Sequence, residues 1–162
     1  MKYIIKELRP EYEAYLWDLL YNAIFVAREE MPPAREMKEL HELKKYMQHW
    51  GEKEGDYGLI ALSEENQPLG AVWIRLFDED DKCWGYVDQK TPELNIALSP
   101  TFRNQGIGTE LMVKMLKDLK ANYDQVSLSV NPNNPSVRLY ERFGFEKYEE
   151  VPPAITMIKK LK

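Results

Sequence analysis

The sequence predicts an α/β (α+β) fold, with a central, mixed, twisted β-sheet flanked by helices on both faces. One observation is a series of short runs with strand character, which are apolar throughout or alternate apolar with polar residues. Another is a set of longer segments whose apolar residues recur at helical spacing. Their order, β-α-α-β-β-β-α-β-α-β-β, favours antiparallel pairing early and parallel pairing later. The predicted strands are Lys2–Leu8, Asp56–Ser63, Leu69–Phe77, Leu94–Leu98, Gln125–Val130, Phe145–Glu149 and Ile155–Leu161, and the predicted helices are Pro10–Arg28, Glu36–Trp50, one from Gly106 onward and Asn134–Arg142.

The first third of the chain is predicted to hold a strand and two helices. Pro10 favours a helix start, because proline is tolerated in the first helical turn. The two prolines of Met31–Pro33 separate the helices, and Gly51 is placed to end the second one. His41 and His49 are the only histidines of the sequence, and they lie about two turns apart on this second helix. A metal site needs several convergent ligands, so we expect no metal there.

The bulk properties indicate an ordinary soluble globular protein. The 162 residues are predicted to form one domain, 1–162, with 44% hydrophobic and 30% charged residues. No apolar run approaches the roughly 18 residues of a membrane span, and the charged N-terminus differs from a signal peptide. Cys83 is the only cysteine, so an internal disulfide is excluded, and we interpret it as an incidental thiol. We therefore expect a cytoplasmic protein without a membrane partner.

The stretch Leu94–Thr109 combines a strand, a tight turn and the start of a helix. Leu94–Leu98 is a short apolar run typical of a buried strand, and an amphipathic helix begins at about Gly106. The first N–H groups of a helix lack intrahelical partners, and the helix dipole adds positive potential there. Glycine at 106 and 108 removes side chains that would keep a phosphate from the backbone. The stretch therefore predicts an anion site.

Two blocks of the sequence carry a resemblance to a known family. Arg103–Gly108 fits the pattern R/Q-x-x-G-x-G/A at each fixed position, after a strand and at a helix start. The block Asn131–Phe145 is similar to the segment N-x-x-A-x-x-L-Y-x-x-x-G-F. Both patterns belong to the GNAT N-acetyltransferase superfamily, which the chain resembles over about Glu93–Tyr148. The resemblance implies a single GNAT-like N-acetyltransferase domain whose cosubstrate is acetyl-CoA.

The resemblance also implies where acetyl-CoA binds. The backbone of Ile96 and Leu98 is expected to pair with the pantetheine amides like an added strand. The N–H groups up to Thr109 are expected to hold the pyrophosphate, with Arg103 near the phosphates. Asn134 is taken as the asparagine that starts the next helix and contacts the CoA arm, although asparagine is also a good N-cap. The complete predicted set is Ile96, Ala97, Leu98, Arg103, Asn104, Gln105, Gly106, Ile107, Gly108, Thr109 and Asn134.

Acetyl transfer to an amine needs a base and benefits from an acid. Deprotonating an alkyl amine of pKa about 10.4 at pH 7 costs about 4.6 kcal/mol. The family resemblance makes Tyr140 the expected general acid for the CoA thiolate, and a buried core tyrosine is the alternative. Glu93 is the candidate base, against a solvated carboxylate at a strand end or a water relay through backbone carbonyls. Ser129 stands where some members of the family carry a glutamate, and a serine cannot do that work.

The acceptor is not named by the sequence. The resemblance assigns acceptor specificity to the two N-terminal helices and their Met31–Pro33 link. Five aromatic residues could line that side or belong to the core: Trp17, Tyr21, Phe25, Trp50 and Trp73.

The predicted function is acetyl-CoA-dependent transfer of an acetyl group to a primary amine of a small molecule or a protein, by direct attack on the thioester. The alternative is a catalytically weak acyl-CoA-binding sensor or regulatory module. The net charge of -5 and the pI of about 5.2 argue against nucleic acid as a partner. Monomer and homodimer both stay open.

Overall fold

The computed structural model describes residues 2–21, 44–102 and 105–162. Seven strands form one mixed sheet in the order β1-β2-β3-β4-β5-β7-β6, and three α-helices pack on it within the described ranges. The α/β prediction and its strand order along the chain are therefore confirmed. The strands are β1 (Tyr3–Glu7), β2 (Tyr57–Ser63), β3 (Pro68–Arg75), β4 (Glu93–Leu98), β5 (Gln125–Val130), β6 (Glu146–Val151) and β7 (Ala154–Lys160), and the helices are α1 (Glu13–Tyr21), α2 (Ile107–Leu119) and α3 (Ser136–Arg142).

Local hydrogen bonds explain where the helix starts differ from the predicted ones. The chain at Pro10–Tyr12 forms a 3-10 turn before α1 begins, with the Tyr12 N–H donating to the Arg9 carbonyl. Helix α3 begins at Ser136, because the Asn134 side-chain oxygen accepts the Ser136 N–H and ends the preceding turn. The predicted break at Met31–Pro33 and most of the predicted second helix lie outside the described residues.

Alternation along the central strands divides the core between the two faces of the sheet. On one face Leu94 packs with the apolar side of α2 and with Tyr140 of α3. On the other face Trp73 and Ala97 pack with α1 and with the segment 44–50. Residues two apart on a strand share a face, so Glu93 and Asn95 project with Ala97 toward this second core.

A buried ion pair attaches the segment 44–50 to the sheet. The Arg75 guanidinium bonds both carboxylate oxygens of Asp56, at 3.0 and 2.9 Å. It also donates to the carbonyls of Lys45, Gln48 and His49, at 3.1, 2.7 and 3.3 Å. The arginine thus bonds three carbonyls of this segment. The segment is thereby held in one position over the sheet.

Candidate active site

The sheet opens between its two central strands. β4 and β5 are parallel, and along their described lengths they pair at one position, Glu93 with Ser127. The Ser127 N–H donates to the Pro92 carbonyl at 3.0 Å, and beyond this point the register does not continue. A parallel pair normally continues with evenly spaced bonds. A gap therefore begins at Glu93 and widens toward Leu98.

The edge of β4 that faces this gap can be derived from its pairing with β3. The Ser99 N–H bonds the Leu69 carbonyl at 2.9 Å, and the register continues from Gly70 opposite Leu98. Hydrogen-bonded pairs alternate in an antiparallel ladder, so residues 97, 95 and 93 turn their backbone groups to β3. The N–H and C=O groups of Ile96 and Leu98 therefore point into the gap. They are the two residues whose backbones were predicted to pair with pantetheine.

Ala97 differs from its two neighbours in the predicted set. The same alternation turns its N–H and C=O groups to β3, opposite Ala71. Its side chain is buried in the core on the Glu93 face. Ala97 therefore offers the gap neither backbone groups nor a side chain, and its part in the site is to keep β4 in place.

Helix α2 begins at the wide end of the gap. Gly106 precedes it with φ of 84°, a left-handed conformation that suits glycine, and an added Cβ would meet open space. The Glu110 N–H makes the first intrahelical bond, to the Gly106 carbonyl at 3.1 Å. The N–H groups of Ile107, Gly108 and Thr109 thus lack intrahelical partners, as an anion site requires.

The two motif glycines differ in their surroundings. A Cβ on Gly108 would lie 3.1 Å from Leu98 Cδ1, so this glycine lets α2 pack closely on β4. Ile107 is buried in the same core, while Thr109 and Gln105 are exposed. The Gln105 side-chain amide donates to the Thr101 carbonyl at 3.4 Å. Arg103 and Asn104 lie outside the described residues.

Asn134 lies in the turn before α3, and its predicted contact with the CoA arm stays a prediction. Its side-chain oxygen accepts the Ser136 N–H at 2.8 Å and forms an Asx turn just before α3. Counting back from the Leu-Tyr pair, the asparagine of the family segment falls on Asn133, one residue earlier. Asn133 is exposed, so its side chain can reach a ligand beside α3.

Tyr140 is a buried residue of α3. Its ring contacts that of Phe145 edge-on, with centroids 6.0 Å apart. Burial raises the pKa of Tyr140 to about 12, and a hydrogen bond with the Ser136 side chain opposes this shift. Tyr140 belongs to the core that contains Leu94, against which Ile96 and Leu98 pack. It therefore lies on the α2 side of β4, opposite Glu93.

Glu93 is enclosed where the gap begins. The residue is 2% exposed, and burial raises the pKa of its carboxyl to about 7. The Tyr46 hydroxyl donates to Oε2, and the Gly85 N–H also bonds the carboxylate; both bonds oppose the upward shift of the pKa. Oε1 has no hydrogen-bond partner within the described part of the chain. A carboxylate with a pKa near neutrality and one uncommitted oxygen has the properties of a general base.

The loop 83–86 closes over Glu93. The Trp84 N–H donates to the Tyr46 hydroxyl oxygen at 3.2 Å, and the Ser127 hydroxyl donates to the Gly85 carbonyl at 2.7 Å. A Cβ on Gly85 would lie 2.9 Å from Glu93 Cδ and 3.0 Å from both Oε2 and a backbone carbon of Leu128. The loop therefore approaches this closely only because residue 85 is glycine.

Asn95 and Tyr46 are site residues that the sequence analysis missed. The Asn95 Nδ2 atom is buried and has no hydrogen-bond partner among the described residues. It projects to the same face as Glu93, two residues away. An asparagine inside the apolar run Leu94–Leu98 was the available signal. Tyr46 gave no such signal, since its contact with Glu93 spans 47 residues.

The surroundings of two tryptophans and of the cysteine show whether these side chains belong to the core. Trp50 and Trp73 are buried in the core, and their ring N–H groups donate to the carbonyls of Leu8 and Tyr46. Burial raises the pKa of the Cys83 thiol well above its usual range, which keeps it protonated, as suits an incidental thiol. Trp84, 40% exposed beside Tyr46, is an aromatic side chain available on the Glu93 face.

Only some of the other predicted aromatic residues and histidines lie within the described ranges. Trp17 is half-buried against the core under α1. Phe25 and His41 are not among the described residues, and the Tyr21 side chain is not described either. The His49 Nδ1 atom lies 3.2 Å from Glu52 on the surface. The described residues contain no group of three potential metal ligands, and no described helix has the length and apolar character to span a membrane.

Comparison with known proteins identifies the family. Residues 10–145 match the description "Acetyltransferase (GNAT) family", so the chain belongs to that family. It is 30% identical over 107 residues to the SPbeta prophage-derived uncharacterized N-acetyltransferase YokL of Bacillus subtilis (strain 168). That match covers 62% of this chain and 56% of the relative, so the chain spans little more than half of the relative's length.

Solved structures share the fold at low sequence identity. The PaiA N-acetyltransferase from Thermoplasma acidophilum, in complex with coenzyme A, superposes with a TM-score of 0.74 at 16% identity, covering 99% of both chains. The ribosomal-protein-S18-alanine N-acetyltransferase from Escherichia coli superposes with a TM-score of 0.66 at 16% identity, covering 99% of this chain and 95% of that one. At such identities the likeness establishes the fold, and the acceptor has to be argued from the site.

The raised pKa of Glu93 predicts a pH-dependent loss of stability. The carboxyl has an ordinary pKa of 4.5 and a folded-state pKa of about 7. Below pH 4.5 it is protonated in both states, and above pH 7 the folded state must hold a buried charge. Glu93 should therefore subtract stability progressively from pH 4.5 to 7, on the order of 3 kcal/mol in all. The Glu93→Gln variant should lack this loss.

Urea unfolding at pH 5 and pH 8 of wild type and Glu93→Gln measures the effect. The variant should gain stability relative to wild type at pH 8 and gain little at pH 5. Glu149→Gln, which changes an exposed carboxyl of β6, is the matched control and should follow wild type. Parallel pH dependences for wild type and Glu93→Gln would contradict the raised pKa.

Proposed function

We propose that this protein is an acetyl-CoA-dependent N-acetyltransferase that transfers an acetyl group to a primary amine. The observation that carries the proposal is the gap between β4 and β5. It has the N-terminus of α2 at its wide end and a buried carboxylate of pKa about 7 where it begins. Together these features offer an anion site, a row of strand hydrogen bonds and a base along one line.

The residues along the gap match the successive parts of acetyl-CoA, from the pyrophosphate to the thioester. The N–H groups of Ile107, Gly108 and Thr109 would hold the pyrophosphate. The backbone groups of Ile96 and Leu98 would pair with the amides of the pantetheine arm, which then lies in the gap as a strand would. When bound, acetyl-CoA supplies the thioester carbonyl that the amine attacks. The arm would bring that carbonyl to the narrow end, beside Glu93.

Glu93 is proposed to act as the base. A pKa of about 7 leaves much of the carboxyl ionised at neutral pH while keeping it basic enough to accept a proton. Oε1 is the oxygen without a partner, and it is enclosed, so the amine's proton reaches it through a water molecule. The unpartnered Asn95 Nδ2 on the same face would orient that water or a polar group of the acceptor.

Tyr140 is proposed to return a proton to the leaving thiolate. The pKa of Tyr140 is about 12, and that of an ordinary thiol in water is about 8.5. Proton donation from Tyr140 to such a thiolate is therefore uphill by about 5 kcal/mol. The thiolate would form in the same enclosed gap, and desolvation raises the pKa of a thiol as well. The mismatch is then smaller, and the proton moves as the carbon–sulfur bond breaks.

A catalytically weak acyl-CoA-binding module is the competing function. It would bind through the same gap and α2 terminus but turn over no amine. Thiol release with acetyl-CoA and a panel of primary amines separates the two. Amine-dependent release supports the enzyme, whereas CoA-dependent thermal stabilisation without turnover across the panel supports the binding module.

Gly106→Ala should abolish acetyl-CoA binding. The new methyl would stand in the open space before α2, where the phosphates are expected, and the left-handed φ of 84° adds about 1 kcal/mol of strain. Calorimetry with acetyl-CoA measures the loss. Gly144→Ala is the control for backbone strain, because Gly144 is also left-handed, with φ of 95°. The only close atom to its new methyl would be the flexible end of Lys159. Equal affinity in Gly106→Ala and wild type would refute the anion site.

Glu93→Gln should remove the acidic limb of the pH–rate profile. Wild type should lose activity as the pH falls through about 7, because protonation of Glu93 removes the base. The variant should turn over about 10²-fold more slowly above pH 7 with acetyl-CoA affinity retained. Steady-state kinetics from pH 5 to 9 test this, with Glu149→Gln as a control. A Glu93→Gln profile that overlays wild type would assign the proton to a water relay without Glu93.

Tyr140→Phe should lower kcat by about 10²-fold and keep acetyl-CoA affinity. The ring and its contact with Phe145 remain, and only the hydroxyl is lost. With a pKa of about 12, Tyr140 stays protonated up to pH 9, so the loss should be the same across the alkaline side of the profile. Tyr148→Phe, a half-exposed tyrosine of β6, serves as the control. At least half of wild-type kcat in Tyr140→Phe would remove Tyr140 from the mechanism.

A further inference from the structure

Tyr46 makes the only side-chain hydrogen bond to Glu93 in the described part of the chain. Its hydroxyl contacts the Trp84 N–H at 3.2 Å, Glu93 Oε2 and the Cys83 thiol. An amide N–H can only donate, so the hydroxyl oxygen must accept there. The hydroxyl proton is therefore directed at Oε2, and the direction of the bond is fixed by the backbone of the loop.

Tyr46 is itself fixed by ring contacts and by a hydrogen bond to its backbone carbonyl. It is 2% exposed, with its ring 5.7 Å from that of Phe77 and 6.1 Å from that of Trp84. Its carbonyl accepts the Trp73 ring N–H at 2.9 Å. The segment that carries it is anchored by Arg75, as described above. A hydroxyl held this firmly restricts the rotamer of the carboxylate it contacts.

The two oxygens of Glu93 are thereby made different. Oε2 faces the Tyr46 hydroxyl, and an added Cβ on Gly85 would lie 3.0 Å from it. Oε1 lies on the other side of the carboxylate and has no partner among the described residues. A carboxylate without this anchor could rotate about its terminal bonds and exchange the two oxygens.

We propose that Tyr46 is a positioning residue, which fixes the Glu93 carboxylate with Oε2 bonded and Oε1 turned to receive the proton. This inference rests on the proposed function of Glu93 as the base. Tyr46 does not touch the reacting atoms and acts only through Glu93. It connects the core under α1, to which it belongs, with the carboxylate at the gap.

Other groups around Glu93 do not provide this control. Cys83 lies on the covering loop, and its thiol, which burial keeps protonated, hydrogen-bonds the Tyr46 hydroxyl and not Glu93. Arg75 is opposite Glu93 on β3, but its guanidinium is committed to Asp56 and to the carbonyls of the segment 44–50. From β5, the neighbour is the uncharged Ser127. The backbone N–H of Gly85 also bonds the carboxylate, so Tyr46 is the one side chain among these neighbours whose bond depends on the ionisation of Glu93.

Tyr46→Phe keeps the ring and removes the hydroxyl. A hydrogen bond donated to a carboxylate favours its charged form, so its loss should raise the pKa of Glu93 by about one unit. Carboxyl carbon NMR, with the Glu93 signal assigned by its absence in Glu93→Gln, measures this directly. The acidic limb of the pH–rate profile should move upward by the same amount.

Tyr57→Phe is the matched control. Its hydroxyl also donates to a carboxylate, Asp118 Oδ2 at 2.5 Å, on the face of the sheet that carries α2. This variant should leave both the Glu93 titration and the acidic limb unchanged. A second variant, 3-fluorotyrosine at position 46, keeps the size of the ring and makes the hydroxyl a stronger donor. It should lower the pKa of Glu93, opposite in sign to Tyr46→Phe.

The outcomes separate this inference from the function on which it rests. Opposite shifts in the two Tyr46 variants, seen in both NMR and rate profile, support both. Shifts in the NMR titration with an unmoved acidic limb support the Tyr46–Glu93 contact and overturn Glu93 as the base. A Glu93 signal that titrates as in wild type in both variants overturns the positioning role.

Discussion

The separation of β4 from β5 after a single pair is the constraint on which the other features depend. A continuous parallel pair would use the backbone groups of Ile96 and Leu98 within the sheet and leave no room for a ligand. Because the strands part at Glu93, the pairing of β4 with β5 ends at the point where the candidate site begins. The antiparallel ladders on either side, β3 with β4 and β5 with β7, keep the two edges in place.

The candidate acid and base lie on opposite faces of β4. Glu93 projects toward the core under α1 and Tyr140 packs in the core under α2. Each is buried, and burial raises both pKa values, to about 7 and about 12. For the carboxyl this change brings the pKa to the pH at which a base is most useful, at a cost in stability. Such a cost is common where buried ionisable groups serve a reaction.

Much of the fold could be predicted from the sequence, and the site only in part. The helix α2 and its anion-binding terminus follow from Gly106 and the apolar spacing behind it, which are local signals. Glu93 was recognised as a candidate, but its enclosure depends on Tyr46 and the loop at Trp84, which come from distant parts of the chain. Gly108 lets α2 pack closely on the Leu98 side chain because it has no side chain of its own. The motif spacing alone could not distinguish this packing role from a phosphate contact. Packing between segments decides these roles, and no local pattern records it.

Gly85 has a consequence for how this protein tolerates variation. Any side chain at this position would collide with the Glu93 carboxyl group and with the backbone of Leu128. The first of these neighbours is the proposed base and the second belongs to the framework, so neither can move without loss. In a library covering all substitutions and selected for activity, position 85 should be as restricted as position 93. The restriction would be steric, set by the space that one carboxylate occupies, and would be found in a loop without chemistry of its own.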